Sequence, residues 1–301
     1  MQQPQLFDTP GPKRIVNVAS VPKRSPFRYP GGKTWLVPEI REWLLSLPAR
    51  PKTLVEPFAG GGIVGLTAAF EQMADHVILV ELDPDVASVW QTMLSDDGKW
   101  LADQIARFNL TWENVELILA TPPTTVKERA FKTMLRNRIS HGGILAPGSG
   151  MLKNGENGRG IASRWYPETL SNRIVDIYHR RDRLSILVED GIQVIRQHAT
   201  NSETVFFIDP PYTAAGKRAG RRLYTFFELD HDALFASCQA IQGDFLMTYD
   251  NAHEVRLMAE SHGFDVEAIP MKNTHHAEMS ELLIGRDLTW ARSAICATLQ
   301  T

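Results

Sequence analysis

The constraint that most narrows what this chain can fold into is a succession of short segments near its start. Thr53-Leu54-Val55 is a short apolar run. It leads into Glu56-Pro57-Phe58-Ala59-Gly60-Gly61-Gly62-Ile63-Val64-Gly65. Apolar residues at helical spacing follow over 63–72, then a second apolar run at 77–80, then a helical segment at 84–94 with Pro84 in its first turn. Strand, helix, strand, helix in this order predicts a parallel, doubly wound α/β sheet with helices on both faces. The glycines let the backbone turn tightly beside a ligand. The helix that begins at Ile63 aims its N-terminal amides at the same space. An earlier helix is expected over 34–47, where Leu36, Val37, Ile40, Trp43, Leu44 and Leu47 recur at helical spacing.

A second feature lies far along the chain. Val205-Phe206-Phe207-Ile208 reads as a buried strand and runs directly into Asp209-Pro210-Pro211-Tyr212. The prolines end the ladder, because they lack an amide donor and fix φ. A carboxylate is thus delivered to the C-terminal edge of a sheet, where open α/β folds bind ligands, with an aromatic ring three residues on. An acceptor beside a flat ring suits a planar amino-bearing substrate, such as an adenine taken out of a helix. Further strands are expected at 184–188, 245–249 and around 282–284.

Composition matters mainly through its distribution. The 301 residues carry a net charge of −3, yet residues 127–222 hold 17 Lys/Arg against 9 Asp/Glu, and the remainder 15 against 26. One basic third on an acidic body suggests a face for a polyanion. Residues 95–184 read as helical and basic, broken by a glycine-rich stretch from His141 to Gly160, so an inserted second domain is expected there. Residues 1–25, with Pro4, Pro10, Gly11, Pro12 and Pro22, read as a mobile arm. No apolar run is long enough to span a bilayer. The polar, proline-broken N-terminus is not a signal peptide. Cys238 and Cys296 have no metal-ligand spacing, which fits a reducing cytoplasm and no metal.

Two phosphate-binding readings compete. Gly60-x-Gly62-x-x-Gly65, with Glu81 about twenty residues after the loop, satisfies the dinucleotide fingerprint, so a nicotinamide-dependent oxidoreductase is a rival. Against it stand the bulky Phe58 and the unexplained Asp-Pro-Pro-Tyr. Gly32-Lys33-Thr34 looks like the end of a Walker A loop, but Phe27 stands where its first glycine is required.

Together these motifs resemble the Dam-type family of DNA adenine-N6 methyltransferases, which use S-adenosylmethionine. The likeness runs in segments from about 26 to 285. Phe27-Arg28-Tyr29-Pro30-Gly31-Gly32-Lys33 looks like the family's N-terminal motif, Leu54 to Gly62 its cofactor loop, and Val80-Glu81-Leu82-Asp83 its acidic ribose motif. Asp209 to Tyr212 matches its catalytic motif, and Glu281-Leu282-Leu283-Ile284 its closing strand. The resemblance implies a Rossmann-like methyltransferase sheet over 26–94 and 185–301, and a mainly helical target-recognition domain over 95–184.

It also implies roles. Tyr29 and Lys33 would contact the methionine end of the cofactor. Phe58, Ala59 and the Gly60, Gly61 and Gly62 backbone would wrap it. Glu81, with Leu82 and Asp83 beside it, would hold the ribose. Asp190 would contact the cofactor's adenine, with Glu189 an equal candidate. Asp209 and the Pro210 carbonyl would accept the target's amino hydrogens, Pro211 would stiffen the turn, and Tyr212 would stack on the flipped base. No metal is needed. Double-stranded DNA is the expected partner, met by Arg28, Lys132, Arg136, Arg138, His141, Lys217 and Arg221. Asn137-Arg138 is followed by Ile139-Ser140-His141-Gly142-Gly143 where the family often has an aromatic-Asn-Gly, so the target sequence does not carry over. Cytosine-N4 methylation is the nearest alternative, and a DNA-binding regulator without catalysis a more distant one. The enzyme is expected in the cytoplasm of a bacterium or a phage-infected cell, at the nucleoid, as a monomer or homodimer.

Overall fold

A computed structural model of the chain describes residues 18–155, 158–211, 223, 225, 226, 228–272 and 278–292. Its centre is a seven-stranded sheet. The strands are β1 (Thr53–Glu56), β2 (His76–Val80), β3 (Leu184–Leu187), β4 (Thr204–Ile208), β5 (Phe245–Asp250), β6 (Asp265–Lys272) and β7 (Glu278–Gly285). Their order across the sheet is β3-β2-β1-β4-β5-β7-β6. The first five run parallel, and β7 enters antiparallel between β5 and β6. This is the Rossmann-like α/β class expected from the strand–helix alternation.

The parallel strands are mainly apolar because helices cover both faces of the sheet. Side chains alternate across the sheet. Leu54, Val77, Leu79, Val205 and Phe207 join one core cluster, while Val55, Phe206, Ile208, Phe245 and Met247 join the other. On the first face lie α1 (Val37–Ser46), α2 (Ile63–Phe70) and α3 (Pro84–Leu94). On the second lie the helices Gly191–His198, His231–Gln239 and His253–Ser261.

Between α3 and β3 the described residues supply α4 (Gly98–Arg107), α5 (Trp112–Ala120), α6 (Val126–Ile139) and α7 (Pro167–Tyr178), and no strand of the sheet. Thr125 and Glu128 form a reciprocal capping box that starts α6. Leu101, Ile105, Phe131, Met134, Leu170 and Ile174 are buried in the same cluster as Leu54 and Val77. This segment therefore shares the sheet's core. Ser140 and Met151 form an antiparallel bridge across the glycine-rich turn.

Parallel register brings the C-terminal ends of β1, β2, β3 and β4 to one edge. The chain leaves β1 toward β2 on one side and passes from β4 to β5 on the other. A crevice opens where the winding reverses. Among the described residues no helix is long and apolar enough to cross a membrane.

Candidate active site

The crevice at that reversal is lined by five segments of the chain. Tyr29, Gly31 and Lys33 come from the N-terminal motif, and Phe58, Ala59, Gly60, Gly61 and Gly62 from the turn after β1. Glu81, Leu82 and Asp83 follow β2, Asp190 follows β3, and Asp209 and Pro211 follow β4. Every residue expected to contact the cofactor thus lines one cleft. Asp190 does so, while Glu189 accepts a bond from Gln197 Nε2 at 3.3 Å instead. Tyr212, Lys217 and Arg221 lie outside the described residues.

The glycine turn is held by contacts a larger residue would destroy. Gly60 and Gly62 have φ of +46° and +60°, conformations that favour glycine. A Cβ on Gly60 would lie 2.5 Å from the Tyr29 ring, and one on Gly62 2.7 Å from the Trp90 ring. The Gly60 amide donates to Glu81 Oε2 at 3.1 Å, and Trp90 Nε1 donates to Gly60 O at 3.0 Å. The Asp83 amide donates to Glu81 Oε1 at 2.9 Å. Glu81 therefore shapes the cradle from beneath as well as facing it. Burial first, then the charge of Asp83, push its carboxyl up to about 7 against the backbone bonds it accepts.

Asp83 and Asp190 cap the helices that follow them, accepting from the Asp85 and Gln193 amides at 2.9 Å. Capping fixes both carboxyls at the cleft wall. Glu56 closes the floor. It accepts the Gly65 amide at 2.7 Å, and burial, with Asp209 adding to it, pushes its carboxyl up to about 8. The third glycine of the apparent dinucleotide fingerprint is thus committed to a side chain of the protein.

Asp209 sits at the end of β4 with Thr248 of β5 donating to its Oδ1 at 2.8 Å. Lys33, only 2% exposed, places Nζ 3.1 Å from the same oxygen and 3.3 Å from Glu281 Oε2. Lys33 also donates to Gly31 O at 3.0 Å. Sequence reasoning set Lys33 toward the cofactor's methionine end and did not single out Thr248, Glu281 or Glu56. The available signal was an acidic residue opening the apolar run Leu282-Leu283-Ile284.

The residues expected to meet DNA divide. His141 is exposed, and Arg28, Lys132 and Arg136 are half-buried. Lys132 donates to Thr121 O at 2.9 Å, and Arg136 reaches Ala146 O at 3.5 Å. Arg138 corrects the expectation of a phosphate contact, since it is 5% exposed and donates through Nη2 to Pro26 O. Burial, then the neighbouring guanidinium groups of Arg173, Arg28 and Arg164, push it down to about 9. Its place beside the loop explains this burial. Asn137 accepts the Arg28 amide at 2.9 Å and donates to Arg28 O at 2.8 Å and Gly143 O at 2.7 Å. Arg173 Nη1 donates to Ser25 O at 3.0 Å. Helices α6 and α7 therefore hold the loop that carries Tyr29 and Lys33 into the cleft.

The donor set fits an S-adenosylmethionine molecule. Rings at Tyr29 and Phe58, a cradle kept open by glycine, and carboxyls at Glu81, Asp83 and Asp190 match its flat base, hydroxyls and cationic centre.

Comparison with known proteins agrees with that fit. Residues 29–117 match the family model of the D12 class N6 adenine-specific DNA methyltransferases. The stretch carries the N-terminal motif, the glycine turn and the acidic motif. No curated protein matches the chain. Two solved structures are similar at low identity. One is described as an RNA methyltransferase from Pyrococcus horikoshii, with 11% identity, covering 89% of this chain and 92% of that one, at a TM-score of 0.38. The other is the rRNA methyltransferase aviRa from Streptomyces viridochromogenes, with 16% identity, covering 86% of each chain, at a TM-score of 0.39. Neither likeness bears on the substrate.

Proposed function

We propose that this chain, whose residues 29–117 match the family model of the D12 class N6 adenine-specific DNA methyltransferases, methylates N6 of an adenine flipped out of double-stranded DNA. The observation that carries the reading is the placement of Asp209. It stands at the edge of β4 in the same cleft as the glycine cradle, oriented by Thr248 and Lys33.

The amino nitrogen of adenine is a weak nucleophile because its lone pair is delocalised into the ring. Asp209 and the Pro210 carbonyl accept its two hydrogens, which favours a tetrahedral nitrogen with a directed lone pair. When bound, S-adenosylmethionine supplies a methyl group on a sulfonium, whose sulfur keeps the electron pair of the broken bond. Asp209 is the acceptor for the proton that the methylated nitrogen must shed. Glu81, Asp83 and Asp190 hold the cofactor's hydroxyls and base, and Tyr29 and Phe58 flank it. Much of the acceleration comes from alignment, which supplies roughly 7–11 kcal/mol in well-oriented systems. Lys132, Arg136 and His141 meet the nucleic acid, the two cations at phosphates and His141 near the bases.

The test is transfer of a labelled methyl group to duplex DNA and to RNA, followed by nucleoside analysis. Label in N6-methyl-2′-deoxyadenosine from DNA supports the reading. Label confined to RNA, or to cytosine, rejects it.

A further inference from the structure

The Lys33 ammonium is shared between carboxylates from two strands, Asp209 after β4 and Glu281 on β7. Balancing Asp209 requires only one cation. A second carboxylate buried beside that cation, 8% exposed, carries a desolvation penalty that folding alone does not require. Glu281 is paired in register with Asp250 of β5, which sets a further acidic group beside it. Among the described residues, the charged groups that face it include Lys33 from the turn before α1, Asp209 and Asp250. Beyond Asp209 lie Glu56, held up to about 8, and Tyr249, whose phenol burial holds high and whose hydroxyl meets His231 Nδ1 at 2.7 Å.

We propose that Glu281 is a positioning residue for methyl transfer: it holds one side of the Lys33 ammonium and so keeps Lys33 from being given wholly to Asp209. An ammonium given to Asp209 alone forms a strong charge-assisted bond that draws charge out of the carboxylate. Asp209 then becomes a weaker acceptor for the amino hydrogens and a poorer acceptor for the shed proton. With Glu281 ionised, the trio of Lys33, Asp209 and Glu281 keeps one net negative charge beside the nitrogen where positive charge develops. Burial raises the Glu281 carboxyl to about 7, with Asp209 and Asp250 adding to the rise and Lys33 opposing it. The device thus switches near neutrality: protonated Glu281 releases Lys33 to Asp209.

The inference rests on the methyltransferase reading, and the experiment separates the two. Single-turnover transfer to adenine-containing duplex DNA is followed from acidic to alkaline pH for the wild type, Glu281→Gln and Glu281→Asp. Cofactor affinity is measured by calorimetry. Carboxyl titration is followed by infrared difference spectroscopy on the ligand-free protein. Glu281→Gln is isosteric and is expected to slow transfer roughly 10- to 100-fold, the scale of a lost positioning contact. Cofactor affinity should stay within about twofold of the wild type, well under the tenfold that 1.4 kcal/mol represents. The wild-type rate should fall as pH drops through neutrality to the level of the Gln variant, which shows no such step. Glu281→Asp should restore the step and part of the rate. The infrared band titrating at about 7 should vanish in the Gln variant. Wild-type rates in Glu281→Gln overturn the inference, as does a parallel loss of rate and cofactor affinity, or a spectrum without the titration. A wild type that methylates no adenine ends the methyltransferase reading itself, and this inference with it.

Discussion

The floor of the cleft and the helices that flank it are tied together over very different distances along the chain. On the floor, Gly60 bonds Glu81 across 21 residues and Gly65 bonds Glu56 across 9. On the flank, Asn137 reaches Arg28 across 109 residues, Arg138 reaches Pro26 across 112, and Arg173 reaches Ser25 across 148. The floor is a self-contained strand–turn–helix unit whose geometry is set by nearby residues. The flank is a brace. It grips the loop that delivers Tyr29 and Lys33. The lesson is that a segment suited by its charge to nucleic acid also supports the cofactor site, so the two cannot be damaged independently at every position.

The largest effect should come from the floor's reactive edge. Asp209→Asn keeps the shape and removes the charge that Lys33 and Thr248 orient. Transfer should fall by roughly 100-fold or more, as when a pre-organised electrostatic partner is removed. Rates within tenfold would move the chemistry away from β4.

Next comes the cradle. Gly60→Ala puts a Cβ 2.5 Å from the Tyr29 ring at a φ of +46°. Strain of about 1–3 kcal/mol should weaken cofactor binding roughly 10-fold or more by calorimetry. Gly148→Ala is the control. Its φ is +82°, but nothing lies within 4 Å of the added carbon, so affinity should be unchanged.

The brace gives the test that separates the two regions. Asn137→Ala removes the side-chain bonds to the Arg28 amide and carbonyl and to the Gly143 carbonyl. Stability should drop by about 1–3 kcal/mol in denaturant unfolding. Cofactor affinity should also weaken, although Asn137 lies in α6. Arg136→Ala, one residue away and half-buried, should leave cofactor affinity alone and shallow the salt dependence of DNA binding by about one log–log unit. An Asn137 variant with native cofactor affinity would sever the brace from the site.

The smallest effect is a pH slope. Glu56 and Glu81 have ordinary values of 4.5 and are raised to about 8 and about 7 in the folded protein. The folded state therefore binds more protons than the unfolded chain across that window, and stability contributed by these groups falls as pH rises through it. Glu71 and Asp265 are held below their ordinary values by arginines and act in the opposite sense at lower pH. The readable quantity is the difference between the wild type and Glu56→Gln, whose midpoint of thermal unfolding should decline less between mildly acidic and neutral pH.

The sheet was largely legible because parallel strands buried on both faces leave unbroken apolar runs. The expected strands at 53–55, 77–80, 184–188, 205–208 and 245–249 fall on β1 to β5. β6 was missed. Its Asp265-Val266-Glu267-Ala268-Ile269 alternates weakly and is followed by Pro270, which an edge strand tolerates. The cleft's glycines and acidic residues were legible because each motif is contiguous. Thr248 and Glu281 were not, because they join the site only through strand pairing, which leaves no local pattern. Arg138 misled for the same reason. In sequence it is one more basic residue at helical spacing, and only the packing of α6 against residues 25–28 turns it inward.

Base-resolved mapping of modified nucleobases, in DNA from cells producing the wild type or Asp209→Asn, tests the central claim most directly. The account predicts N6-methyladenine within one short sequence context for the wild type and none for the variant. N4-methylcytosine in place of N6-methyladenine, or equal adenine methylation in both, would contradict it.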